Sequence, residues 1–256
     1  MRRPARNFCR AQNVGPILAA VKPAIGIPEC HDAGGRIRPG RQYLYNDIAY
    51  AHAVSSAGGT SFHLPIQADP EALIERIDGL LLPGGDDFVP AGLTRDTYPH
   101  LATTDEQLAF DRALLHHALE RDMPILGICY GAQLMALEHG GSLHYHVPDD
   151  VEHAIEHQLD ERTGRHGVVV QAGSRLGTLT GRTEFEVNSL HHQAIAEPGE
   201  TFIAVAASRD GVTEGIERQG TAFCLGVQWH PEKLDDDVNR ALFRGFVAAA
   251  AEFSAN

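Results

Sequence analysis

The segment that most restricts this chain is an uninterrupted apolar run, residues 123–128, that leads straight into Gly127-Ile128-Cys129-Tyr130-Gly131. A helix-like stretch over 132–139 follows and is stopped by Gly140-Gly141. An apolar run of this length between breakers reads as a strand buried on both faces, as in parallel sheets covered by helices. Small residues on either side of Cys129 let the chain turn sharply while other backbone passes close by. The setting is that of the G-x-S-x-G nucleophile elbow, with sulfur in place of the hydroxyl. Such a turn points the thiol at the free amides of the following helix, and those amides together with the helix dipole favour thiolate over thiol. A cysteine at the end of a core strand can also be a plain buried hydrophobe. The flanking glycines and the strand-turn-helix context favour the nucleophile.

The same alternation runs through the first half of the chain. Residues 23–28, 61–66 and 79–82 read as strands. Residues 43–57 carry Tyr43, Ile48, Ala51 and Val54 at helical spacing and end at Gly58-Gly59. Residues 71–77 form a short helix, and 105–121 an amphipathic one. This order predicts an α/β three-layer sandwich with a mainly parallel central sheet flanked by helices. The second half reads as antiparallel or mixed strands at 167–171, 185–187, 203–207, 213–217 and 224–228. A closing helix over 240–253 places Leu242, Phe243, Phe246 and Val247 on one face. Residues 23–256 are expected to form one domain, and 1–22 a loose leader.

Composition narrows the function. Hydrophobic residues are 43% and charged residues 21%, enough for a packed core. Twenty-one Lys and Arg against 34 Asp and Glu leave a net charge of −13, which disfavours a nucleic-acid partner. Cys9, Cys30, Cys129 and Cys224 form no C-x-x-C pair, so zinc-ribbon and disulfide-framework spacings are absent and a reducing, cytoplasmic compartment fits. No apolar run reaches the length of about 20 residues needed to span a membrane. Chemistry on a small molecule is the expectation.

A cysteine nucleophile needs a base, and the base needs an orienting group. Gly226-Val227-Gln228-Trp229-His230-Pro231-Glu232 offers both at the end of an apolar strand. Extended backbone through Pro231 can turn His230 and Glu232 to one side. On its own a His-Pro-Glu segment is a capped loop start. Paired with the cysteine elbow it completes a Cys-His-Glu set of the hydrolase type.

The segment 127–133 (Gly-Ile-Cys-Tyr-Gly-Ala-Gln) together with 226–232 resembles the two signature blocks of class I glutamine amidotransferase domains. Leu81-Leu82-Pro83-Gly84-Gly85-Asp86 is similar to that family's oxyanion loop. Val187-Asn188-Ser189-Leu190-His191-His192-Gln193 resembles the γ-glutamyl-γ-aminobutyrate hydrolase branch, peptidase family C26. The likeness runs from about residue 23 to the last helix. It implies the flavodoxin-like fold of class I glutamine amidotransferases, with Cys129 as nucleophile, His230 as general base and acid and Glu232 as orienting carboxylate. It further implies an oxyanion hole from the backbone amides of Tyr130 and of Gly84 and Gly85. Gln133 with Asn188, Ser189, Leu190 and His191 would hold the glutamyl head group. Tyr130 stands where better-known members carry Arg, and His192 where they carry Gly. By the resemblance both belong to the leaving-group side, which leaves the amine open.

The implied reaction is hydrolysis of the γ-glutamyl amide of γ-glutamyl amines, as in polyamine or putrescine breakdown, with no metal or organic cofactor and no partner beyond a second copy of the chain. Folate poly-γ-glutamate is a substitute substrate. The alternatives are a glutaminase subunit feeding ammonia to a separate synthetase and a non-catalytic binder on the same fold.

One motif competes. His153-Ala154-Ile155-Glu156-His157 spells H-x-x-E-H, an inverzincin zinc pattern. Its polar surroundings and the lack of an apolar helix face read as a connection. His139, His144, His146 and His166 read as surface or structural residues, His166 at the start of a strand, and Asp235-Asp236-Asp237 as a solvated helix start.

Overall fold

Strands that must be buried on both faces need helices above and below, and the chain supplies them in alternation. In a computed structural model, residues 21–220 and 222–255 are described. Residues 1–20 of the expected leader lie outside them. The first half runs β1 (Ala24–Pro28), a hairpin of β2 (Cys30–Asp32) and β3 (Tyr43–Tyr45), α1 (Ile48–Ser56), β4 (Thr60–Leu64), α2 (Pro70–Ile74), β5 (Gly79–Leu82), α3 (Asp105–Glu120), β6 (Ile125–Ile128) and α4 (Tyr130–Leu137). The second half runs β7 (Ser142–His144), α5 (Val147–Asp150), β8 (His166–Val170), α6 (Arg175–Thr180), β9 (Glu184–Val187), β10 (Ala194–Glu197), β11 (Phe202–Ser208), β12 (Thr213–Arg218) and β13 (Cys224–Val227). A 3-10 turn at Pro231–Lys233 and α7 (Asp237–Ser254) complete it.

The main path of the sheet is β4-β1-β5-β6-β13-β12-β11-β8-β9. Its first five strands are mutually parallel. From β12 outward the pairing is antiparallel. This is the expected α/β sheet, with the antiparallel second half as its wing.

Alternation along the strands divides the core. Leu81, Leu126, Leu225 and Val227 pack with Val54 of α1 and with Leu242, Phe243 and Phe246 of α7. Leu80, Leu82 and Ile125 pack on the other side against Phe110, Leu114 and Leu115 of α3 and Leu134 and Met135 of α4. Each fully buried side chain of this kind contributes roughly 1.5–3 kcal/mol. The four apolar residues expected on the last helix all lie on its buried face.

Residues 43–45 depart from expectation. They pair with β2 as a strand instead of opening a helix, because Asp47 caps α1 by accepting the Ala49 amide at 2.9 Å. The helix therefore starts at Ile48, and Tyr43 owed its place in the helical pattern to spacing alone. Among the described residues no helix is long and apolar enough to cross a membrane.

Register places the chemistry. Leu82 sits beside Gly127, and Gly127 and Ile128 sit beside Gly226 and Val227. The carboxyl ends of β5, β6 and β13 therefore meet at one edge, where open α/β sheets place their ligand sites.

Candidate active site

Cys129 joins β6 to α4 with φ 49° and ψ −107°, a left-handed backbone that a non-glycine residue holds at roughly 1–3 kcal/mol of strain. The glycines beside it are dictated by contact. A Cβ on Gly127 would lie 2.4 Å from the Met135 sulfur, and one on Gly131 would lie 2.3 Å from the Leu82 carbonyl oxygen. The turn is held by the Cys129 amide donating to the Val227 carbonyl at 2.8 Å and the Gly131 amide donating to the Pro83 carbonyl at 3.2 Å. The sulfur is thereby presented at the start of α4, where the expected nucleophile elbow places it.

The imidazole arrives on the neighbouring strand. His230 follows β13 by three residues, and Asn188 grips its backbone from both sides. The Asn188 side chain accepts the His230 amide at 2.8 Å and donates to its carbonyl at 2.9 Å. The 3-10 turn beginning at Pro231 brings Glu232 back beside the ring, whose Nδ1 donates to Oε1 at 2.8 Å. The Glu232 side chain has no exposed surface, and its Oε2 has no hydrogen-bond partner among the described residues. Burial alone would lower the His230 pKa. The Glu232 charge and hydrogen bonds with Cys129 and Glu232 outweigh it and raise the value to about 10. The charged form of the ring is thereby favoured beside Cys129. Gln228 adds a second donor, its Nε2 lying 3.4 Å from the sulfur.

The glycine loop after β5 divides its two amides. The Gly84 amide donates to the Tyr50 hydroxyl at 2.9 Å. A Cβ at Gly84 would fall 2.7 Å from His230 Cε1, so this position is glycine for the sake of the ring. The Gly85 amide has no acceptor among the described residues, and the Tyr130 amide, first in its helix, has none within it. Of the three amides expected at an oxyanion, those of Gly85 and Tyr130 are thus open, whereas that of Gly84 is occupied by Tyr50.

The Tyr130 side chain does not face the leaving-group side. It is buried, stacks on Phe88 with ring centroids 4.8 Å apart, and donates to Asp111 Oδ2 at 3.0 Å. Burial pushes the Asp111 carboxyl up to about 7, against the hydrogen bonds from Tyr130 and Gln107.

A cleft of about 420 Å³ opens over Cys129, lined among others by Gly85, Asp87, Gln133, Leu190 and His192. Gln133 donates to the Gln193 carbonyl at 2.9 Å and to Gln228 Oε1 at 3.2 Å. His192 donates to Asp87 Oδ2 across 2.8 Å and lies against the His100 ring, centroids 4.5 Å apart. Asn188 and Ser189 have no exposed surface, and the Ser189 hydroxyl donates to the His157 carbonyl at 2.7 Å. His191 is also buried, with Nδ1 on the Gln193 carbonyl at 3.1 Å. The side chains of Asn188 and Ser189 therefore brace the site from behind. Of the residues expected to hold a glutamyl group, Gln133, Leu190 and His191 line the cleft.

Two braces were not singled out from the sequence. Gln193 accepts the Phe88 amide at 2.9 Å and donates to its carbonyl at 2.8 Å and to Tyr98 at 2.9 Å. Gln228 contacts Cys129 itself. Both sit inside the signature segments, and a buried Gln in an apolar strand was the available signal.

The H-x-x-E-H pattern does not assemble. Its residues form no helix, and His153 and Glu156 are exposed. His157 is buried, with Nε2 3.1 Å from Asp210 Oδ2, and His166 is buried at the start of β8.

The peptidase C26 family model matches residues 23–232. The chain is 36% identical over 247 residues to Rv2859c of Mycobacterium tuberculosis, a candidate glutamine amidotransferase, covering 93% of this chain and 78% of that one. It is 33% identical over 240 residues to the γ-glutamyl-γ-aminobutyrate hydrolase of Escherichia coli O157:H7, covering 89% and 93%. Among solved structures, a candidate GMP synthase component from Thermoplasma acidophilum superposes with TM-score 0.64 at 22% identity, covering 92% and 97%, and shares the fold.

Proposed function

Since the chain belongs to the peptidase C26 family, we propose that it hydrolyses the γ-glutamyl amide bond of γ-glutamyl amines through a thioester on Cys129. The observation that carries this reading is the strained turn at Cys129 beside the His230 ring, which is itself held at 2.8 Å by the buried carboxylate of Glu232. The relative from Escherichia coli, named for hydrolysis of γ-glutamyl-γ-aminobutyrate, supports the substrate class.

The steps follow from the parts. The Cys129 thiolate attacks the γ-carbonyl carbon, and the Gly85 and Tyr130 amides receive the negative charge that gathers on the carbonyl oxygen. As the C–N bond breaks, His230 gives its proton to the departing amine. A γ-glutamyl thioester remains. Water loses a proton to neutral His230 and attacks the thioester, the sulfur leaves as thiolate, and glutamate departs with His230 charged again. The strained turn and the Asn188 grip hold sulfur and ring in place before substrate arrives, so little reorganisation is needed at the moment of reaction. On the cleft side, the His192–Asp87 pair is the polar feature available to the amine portion.

The test is glutamate release from a panel of γ-glutamyl amines, glutamine included, by the full chain and by Cys129→Ala. Release by the full chain alone, abolished in the variant, is the expected result. Equal release by both removes Cys129 from the reaction. Glutamine cleavage that needs an added synthetase fits the glutaminase alternative.

A further inference from the structure

Beneath the cleft, the second half of the chain gathers a group of side chains that the hydrolytic reading does not use. His157 comes from a connection, His166 from the start of β8, His191 from the segment that also lines the cleft and Glu214 from β12. All four are buried, and one ligating atom from each lies within 4.8 Å of every other. Glu214 is aimed there by the backbone. Ala206 and Ala207 are consecutive on β11 but face Gly215 and Thr213, so Glu214 is the extra residue of a bulge. Bulges re-aim side chains in this way.

The spacing is wrong for direct hydrogen bonds and right for shared ligation. Glu214 Oε1 lies 3.4 Å from His157 Nδ1, 3.4 Å from His166 Nε2 and 3.7 Å from His191 Nε2. Charge-assisted N–H···O bonds run about 2.7–2.9 Å. Atoms placed about 2.0–2.1 Å from a tetrahedral zinc ion stand about 3.3–3.4 Å from one another. Both Glu214 oxygens, both His166 nitrogens and His191 Nε2 have no hydrogen-bond partner among the described residues. Such orphaned groups at full burial need a positive centre.

The outer contacts agree. His157 Nε2 lies on Asp210 at 3.1 Å, and His191 Nδ1 on the Gln193 carbonyl at 3.1 Å. These two rings thus donate their outer N–H to an oxygen and turn a lone pair inward, the arrangement that orients metal-bound imidazoles. Charge closes as well, because a divalent cation balances Glu214 and Asp210 together.

We propose that His157, His166, His191 and Glu214 bind one divalent transition cation of the zinc class, in a closed four-ligand site that ties the 188–193 segment to the sheet. The absence of a C-x-x-C pair is no obstacle, since the donors are imidazoles and a carboxylate. With all four ligands supplied by the protein, its role is to hold the Asn188 grip on His230 and the Gln193 brace in place.

The experiment uses the full chain with Cys129→Ala, so that the active-site sulfur does not bind metal. The protein is incubated with zinc(II), desalted and its metal content measured. About one retained equivalent per chain is expected, with a raised Tm and with retention lost in folded Glu214→Gln. Cobalt(II) in the same parent should give visible bands of a four-coordinate nitrogen and oxygen site with no thiolate charge-transfer band, a readout that stands even if Glu214→Gln does not fold. Retention below about a tenth of an equivalent with both metals and an unmoved Tm overturns the proposal in favour of protons as the positive centre. Equal retention in folded Glu214→Gln also overturns it, by placing the metal elsewhere.

Discussion

Replacing Glu232 with Gln tests the electrostatic logic of the site while keeping its shape. In the parent, His230 rises from 6.5 to about 10, which corresponds to about 5 kcal/mol of preference for the charged ring. Burial opposes that preference, and the Glu232 charge is the largest contribution in its favour. Without the carboxylate, burial prevails apart from the help of Cys129, and the ring is expected to be mostly neutral at pH 7. A neutral ring cannot protonate the departing amine, and Gln offers no fixed acceptor to choose the tautomer. Loss of that proton transfer costs about 10²–10⁴ in kcat. The assay is the pH profile of kcat/KM for glutamate release from a γ-glutamyl amine. The alkaline limb of that profile reports loss of the His230 proton. It should lie near pH 10 in the parent and several pH units lower in Glu232→Gln. An alkaline limb that stays in place would refute the assignment of Glu232 as the source of the histidine charge.

The same coupling acts on stability. A histidine whose folded pKa is raised contributes fully below its unfolded value near 6.5 and loses that contribution as pH climbs through about 10. The difference in denaturation free energy between parent and Glu232→Gln should therefore be widest near pH 6 and narrow above pH 10; a constant difference would contradict it. Gly84→Ala places a methyl where His230 Cε1 stands 2.7 Å away, so kcat should fall about 10²-fold with the circular dichroism spectrum unchanged. Asn188→Ala frees the His230 backbone and should cost about 1–3 kcal/mol of stability, with kcat falling more than KM rises, as steady-state kinetics and urea titration would show. Tyr130→Phe leaves Asp111 without its hydroxyl donor and should cost about 1–3 kcal/mol while the ranking of amines in the substrate panel stays the same; a changed ranking would return Tyr130 to the leaving-group side.

What the sequence reveals and what it hides divide along a physical line. The elbow was legible because its constraint is local: Gly127 and Gly131 must lack a Cβ wherever a strand passes so close to Met135 and Leu82. His230 and Glu232 were legible as a pair because they stand two residues apart, although a 3-10 turn beginning at Pro231, and not the expected extended backbone, brings them together. The parallel core could be read because runs buried on both faces leave no polar alternation to misread. The braces are another matter. Asn188, Ser189 and His191 carry the letters of a binding segment, but which way each points depends on β8, β12 and the His157 connection, all distant in the chain. The same is true of Tyr130, whose backbone serves the site while its ring serves the core. The histidine and glutamate cluster is the extreme case. Its four members span residues 157–214 with no repeated spacing, and Glu214 reaches the others only through a bulge, a one-residue register slip that composition and period cannot signal. Motif spacing therefore finds ligands that share a helix or a turn, whereas ligands assembled by sheet register become visible once the strands are paired.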